Sequence, residues 1–181
     1  MTVFISGGAK NGKSTLAQNL AVALSENGKR YYVATMIPVD AEDIDRIRRH
    51  REDRAGLGFE TLECGKNILD CFTEETKAGT FLVDSATALL QNAMFPVESD
   101  YQLDMEAAKR CGDELIAFAG LAKNAVFVSD YIYSDAGRYS GSTERYRKCL
   151  AEIDRRLAAV CDTVVEVSGG NYVIHKGALE L

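Results

Sequence analysis

The chain has 181 residues, of which 46% are apolar and 27% charged, ordinary proportions for a globular fold that argue against disorder. Its formal net charge of -6 argues against a surface that tracks nucleic-acid phosphates. The opening Met-Thr-Val-Phe-Ile-Ser-Gly-Gly lacks a secretion signal and no apolar run approaches the ~20 residues of a membrane span, which predicts a cytoplasmic protein without a membrane span.

In chain order, a buried strand is predicted at residues 3–6, a helix at 13–25, a strand at 31–35 and a helix at 41–51. A weaker edge strand follows at 59–63, then a helix at 67–77 and a strand at 81–84. A helix at 103–123, a strand at 125–129, a helix at 142–160 and a strand at 164–168 complete the alternation. After Gly169-Gly170, residues 172–176 read as an antiparallel edge strand closing a hairpin. No Pro-, Gly- and Ser-rich stretch divides the chain, and its five cysteines contain no Cys-x-x-Cys pair, so residues 1–181 read as a single domain with free thiols. The expected fold is α/β, a mostly parallel sheet flanked by helices with a C-terminal antiparallel edge hairpin.

Gly7-Gly8-Ala9-Lys10-Asn11-Gly12-Lys13-Ser14 follows the first strand and opens the first helix, matching G-x-x-x-x-G-K-[ST] in the context that this motif requires. The glycines let consecutive backbone N–H groups and the helix N-terminus face an anion. Lys13 is expected to reach the β- and γ-phosphates and Ser14 to hold Mg²⁺. Asp84, at the end of Phe81-Leu82-Val83-Asp84, is the candidate second metal ligand. The whole chain thus reads as one P-loop nucleotide-binding domain of RecA-like type.

Between Arg46 and Arg54, five arginines and His50 fall within nine positions of an otherwise acidic chain. Ile44, Ile47 and His50 step by three, which predicts that the imidazole shares the apolar side of its helix. An imidazole among arginines offers a nucleophilic nitrogen beside groups able to hold phosphate. A half-buried histidine in a solvated charged face accounts for the same spacing. His175, near the end of the hairpin, reads as surface, and Tyr131, Tyr133 and Tyr139 read as packing residues or as a stacking surface.

These blocks together resemble the bifunctional adenosylcobinamide kinase and adenosylcobinamide-phosphate guanylyltransferase (CobU/CobP) family of cobalamin biosynthesis. Gly7 to Ser14 is similar to its Gly-Gly-Ala-Arg-Ser-Gly-Lys-Ser loop, and Tyr32-Val33-Ala34-Thr35 to its Tyr-Ile-Ala-Thr strand. Arg46-Ile47-Arg48-Arg49-His50 resembles its Arg-Ile-x-x-His, whose histidine receives GMP. Phe59 to Glu63 looks like Trp-x-Thr-x-Glu, and Val83-Asp84 through Asn92 to Phe95 like the family's strand and following helix.

The resemblance implies catalytic roles for His50 and Lys13. It implies nucleotide contacts from Gly7 to Ser14, from Ala34, Thr35 and Met36, and from Arg51, Glu52, Asp53, Arg54, Glu63 and Asp84. It further implies Mg²⁺, ATP and GTP as substrates, a corrinoid acceptor and a trimer. Past residue 95 the likeness thins. Ser129-Asp130-Tyr131-Ile132-Tyr133 stands where the family has Thr-Asn-Glu-Val-Gly, Arg54-Ala55 replaces Arg-Pro, and Lys148 and Asp154 replace an Asp and an Asn. A kinase with one half-reaction or another alcohol as acceptor, and a non-catalytic nucleotide switch, stay open as alternatives.

Overall fold

The computed structural model describes residues 1–133 and 137–179. In chain order these form β1 (Thr2–Gly7), α1 (Lys13–Ser25), β2 (Arg30–Ala34), α2 (Ala41–Asp53), β3 (Phe59–Glu63), β4 (Thr80–Asp84), α3 (Ala86–Met94), α4 (Met105–Leu121), β5 (Asn124–Asp130), α5 (Gly141–Val160), β6 (Thr163–Ser168) and β7 (Asn171–Lys176). One sheet runs β3-β2-β4-β5-β1-β6-β7. Every pairing is parallel except β6 with β7. This is the expected α/β architecture, with its antiparallel hairpin at the edge.

The strand period of two divides the core between the two faces of the sheet. Val3 and Ile5 of β1 pack with Ala17, Leu20 and Ala21 of α1, whereas Phe4 packs on the other side with residues of α3, α4 and α5. On that second side Phe81, Phe118 and Phe127 form successive edge-to-face pairs, with centroids 5.0 and 6.1 Å apart. Such pairs add about 0.5–1.5 kcal/mol each beyond area burial. At the β6–β7 turn Gly169 and Gly170 take φ of 57° and 77°, the left-handed pair that a tight two-residue hairpin requires.

Two local expectations are corrected. Residues 67–77 form a 3-10 turn, Ile68–Cys71, and a separate backbone turn from Thr73 to Lys77 in place of one helix, because the Thr76 hydroxyl accepts the Thr73 N–H and donates to the Cys71 carbonyl. Those are backbone groups that a continuing helix would have paired internally. The buried Ile68 and Cys71 mimic a helical i, i+3 pair. Conversely, α3 is legible only through the family likeness, although Ser85 caps it by accepting the Ala88 N–H and Ala86, Leu89 and Leu90 are buried. Finally, Ile44 is 60% exposed, so the apolar side of α2 does not enter the core and no residue of α2 is buried.

Because β1, β4 and β5 run parallel in neighbouring positions, their C-terminal ends meet. Gly7 pairs in register with Asp130, and Asp84 with Val128. The loops that leave these ends therefore converge along one rim of the sheet, the usual place for ligands in open α/β sheets.

Candidate active site

The loop after β1 is shaped by its glycines. A Cβ on Gly7 would lie 2.5 Å from the Val167 carbonyl oxygen, and Gly12 caps α1 in the left-handed region at φ 88°. Gly12 has no side chain to engage the first N–H groups of α1, which leaves them for an anion. Ala9 and Lys10 are exposed, and the Asn11 side chain donates to the Val167 carbonyl at 3.5 Å. Lys13 is buried; its ammonium donates to the Gly8 carbonyl and pairs with Asp130 Oδ1, both at 2.6 Å.

Beside it, the Ser14 hydroxyl donates to Asp84 Oδ2 at 3.4 Å, and the Tyr32 hydroxyl donates to the same oxygen at 2.9 Å. Burial, aided by the Asp84 charge, raises the Tyr32 pKa, so Tyr32 stays a proton donor. A hydroxyl and a carboxylate at this separation are hard oxygen donors. They suit a Mg²⁺ ion that completes its shell with phosphate oxygens and water.

His50, Ile47 and Arg46 of α2 line a cavity with Tyr32, Ala34, Met36, Arg54, Glu63 and Asp84. The C-terminal end of α2 is held over this cavity by two arginines. Arg54, 7% exposed, lies 3.9 Å above the Tyr32 ring and donates to the Thr61 hydroxyl at 3.2 Å, while burial lowers its pKa. Arg51 pairs with Glu63 at 2.7 Å. Of the other expected residues, Thr35 is fully buried and exchanges hydrogen bonds with the Ser85 backbone. Glu52 and Asp53 are exposed and lie outside the cavity lining, Glu52 pairing with Arg48 instead. Arg49 bonds back to the Asp45 carbonyl of its own helix.

Sequence reasoning misses Tyr32 and Asp130 as site residues. From sequence, Tyr32 reads only as part of a strand, and Asp130 only as a departure from the family motif. Behind Asp130 lies a buried polar network. Its backbone N–H donates to the Thr87 hydroxyl at 2.8 Å, which lies 3.2 Å from the Ser129 hydroxyl, and Ser129 donates to Asp154 Oδ2 at 3.0 Å. Tyr133 donates to the same oxygen at 2.8 Å, whereas the buried Asp154 Oδ1 has no hydrogen-bond partner among the described residues.

Burial pushes the Asp154 carboxyl up to about 6 from its ordinary 3.8, against the two hydrogen bonds that favour the ion. A carboxyl raised in the folded state gives its full contribution to stability below pH 3.8, and loses it as pH rises through about 6. Asp154→Asn is therefore expected to gain ~3 kcal/mol relative to the wild type between about pH 4 and pH 8. Urea unfolding at the two pH values checks this, and parallel pH profiles would contradict it.

The family model for cobinamide kinase / cobinamide phosphate guanyltransferase (CobU) matches residues 3–174. No curated protein matches the sequence. Among solved structures, the flagellar accessory protein FlaH from Methanocaldococcus jannaschii is similar with a TM-score of 0.50 and 15% identity, over 97% of this chain and 78% of that one. A protein from Pyrococcus horikoshii gives 0.53 and 10% identity, over 99% and 87%. An ATPase from the type III secretion system of pathogenic bacteria gives 0.52 and 13%, over 92% and 51%. At these identities the structures establish the fold alone, a mostly parallel sheet flanked by helices. No helix among the described residues is long and apolar enough to cross a membrane. With a phosphate loop, a metal-suited carboxylate and a match spanning nearly its whole length, the chain belongs to the CobU family of enzymes, cobinamide kinases and cobinamide phosphate guanyltransferases of cobalamin synthesis.

Proposed function

We propose that this chain performs both reactions of its family, phosphorylating adenosylcobinamide with ATP or GTP and then transferring GMP from GTP, by way of His50, to give adenosylcobinamide-GDP. The observation that carries this reading is that His50 and Asp84 line one cavity, so a nucleophilic nitrogen and a metal-suited carboxylate open onto the same space. In the first reaction the acceptor hydroxyl forms a bond to the γ-phosphorus, the bridge to the β-phosphate breaks, and nucleoside diphosphate leaves. Lys13 holds the transferred phosphoryl group through its ammonium, and the first N–H groups of α1 hold its oxygens. Mg²⁺, held by Ser14 and Asp84, would neutralise the charge that develops on the phosphate oxygens.

In the second reaction a ring nitrogen of His50 bonds to the α-phosphorus of GTP and pyrophosphate leaves. The cobinamide phosphate then displaces the imidazole and takes the GMP. Arg46 and Arg54 border the same cavity and supply positive charge to the phosphates. We further propose cytoplasmic operation as a single nucleotide-binding domain and assembly as a trimer, on the family resemblance.

The test is product analysis with adenosylcobinamide, Mg²⁺ and excess GTP. The expected products are adenosylcobinamide phosphate, then adenosylcobinamide-GDP with release of pyrophosphate. Arrest at the phosphate leaves a kinase alone. Nucleotide bound without either product would overturn the proposal and point to a switch.

A further inference from the structure

We propose that an open groove beside the His50 cavity holds the macrocycle of the corrinoid acceptor, and that Arg46, where groove and cavity meet, holds the acceptor's phosphate. This rests on the guanylyl-transfer half of the function proposed above. The groove, of about 580 Å³, is lined by the β2–α2 connection and by α3 with the residues that follow it. That size falls within the ~300–1,000 Å³ of small-molecule sites. Met36, Arg46 and Ala88 line both the groove and the cavity that His50 lines, so the two adjoin.

The groove is apolar yet open to solvent. Ile37 and Val39 before α2, and Val97 and Tyr101 after α3, are exposed, Val39 by 64% and Val97 by 55%. A contiguous exposed apolar surface of this kind marks a binding site. Its charges are already engaged, with one exception. Glu98 pairs with Lys66 at 2.7 Å, and Asp43 accepts the Val39 N–H at 3.1 Å. Arg48, Arg49, Arg51 and Arg54 each bond within the protein, whereas Arg46 has no hydrogen-bond or ion-pair partner among the described residues. An apolar trough that ends at one unpaired guanidinium complements a ligand with a broad apolar body and an anionic arm. Cobinamide phosphate has that form, and the Gln91 amide in the groove can meet the amides at the edge of its macrocycle.

The transfer step needs a cation at that place. An oxygen of the acceptor's phosphate bonds to the phosphorus carried by His50, while the phosphorus–nitrogen bond breaks and its electron pair returns to the ring nitrogen. Two phosphate groups must approach each other for this, and like charges at that range repel unless a cation stands beside them. Arg46 precedes His50 by four residues on α2, so both occupy one side of the helix. Its planar fork can take two phosphate oxygens at once.

A second copy of this chain is the rival occupant, because exposed apolar surface is also buried between subunits. Val39→Asp and Val97→Asp put a carboxylate on the apolar surface at exposed positions, away from the core. Equilibrium dialysis of adenosylcobinamide phosphate, followed by its own colour, reads the affinity, and sedimentation velocity reads the assembly. Each variant is expected to bind at least about fivefold more weakly than the wild type, with unchanged sedimentation. Arg46→Gln should remove the wild type's preference for adenosylcobinamide phosphate over adenosylcobinamide, expected to be about tenfold. A smaller loss in either groove variant, or a preference that survives in Arg46→Gln, overturns the proposal alone. So does a smaller assembly in the groove variants, which makes the groove a contact between copies. A wild-type protein that binds no adenosylcobinamide phosphate overturns it together with the proposed function.

Discussion

Lys13→Ala is expected to lower the rate of phosphoryl transfer by ~10³, even at saturating nucleotide. Lys13 is 5% exposed and its ammonium sits between the loop carbonyl of Gly8 and the carboxylate of Asp130. Truncation removes the cation that would meet the terminal phosphate and also leaves Asp130 without the ammonium beside it. The nucleotide then faces an added negative charge where it had a positive one, so both affinity and rate should suffer. Lys13→Arg should not rescue activity, because a planar guanidinium fork does not fit the slot of a compact, buried ammonium. Steady-state transfer of a labelled γ-phosphoryl group measures the effect, and a loss smaller than about tenfold would remove Lys13 from its assigned role.

How much of this is legible in the sequence depends on how local each feature is. The phosphate loop is one strand end, one glycine-rich turn and one helix start within eight residues, so spacing alone reveals it. The hairpin is legible because Gly169-Gly170 states its turn chemistry directly. The Lys13–Asp130 pair is not legible, because it requires β5 to lie beside β1, and no local pattern announces that strand order. Tyr32 is invisible as a site residue for a similar reason, since its hydroxyl meets Asp84 only through the β2–β4 pairing. The false helix at 67–77 comes from a buried pair at helical spacing that a threonine side chain interrupts. Motif likeness fades after residue 95, yet the family model continues to residue 174. The divergence at Ser129 to Tyr133 therefore sits within the family's frame, at the rim beside the loop.

His50 carries the second large effect. Its helix contributes nothing to the core and is tethered over the cavity by Arg51 on Glu63 and by Arg54 on Tyr32. A side chain on such an element can be removed without disturbing the phosphate loop, which belongs to β1 and α1. His50→Ala should therefore leave phosphorylation of adenosylcobinamide within about threefold of the wild type, while guanylyl transfer falls below detection, because no bond to the α-phosphorus can form. A structural role for the imidazole would instead lower both activities together.

The most direct measurement is covalent labelling. Purified protein is incubated with Mg²⁺ and GTP labelled at the α-phosphate, denatured, and examined for label that stays on the chain. The expected result is protein-bound label that acid releases and that disappears in His50→Ala. Absence of label on a wild-type protein that still binds nucleotide, or label undiminished in His50→Ala, would contradict guanylyl transfer through His50.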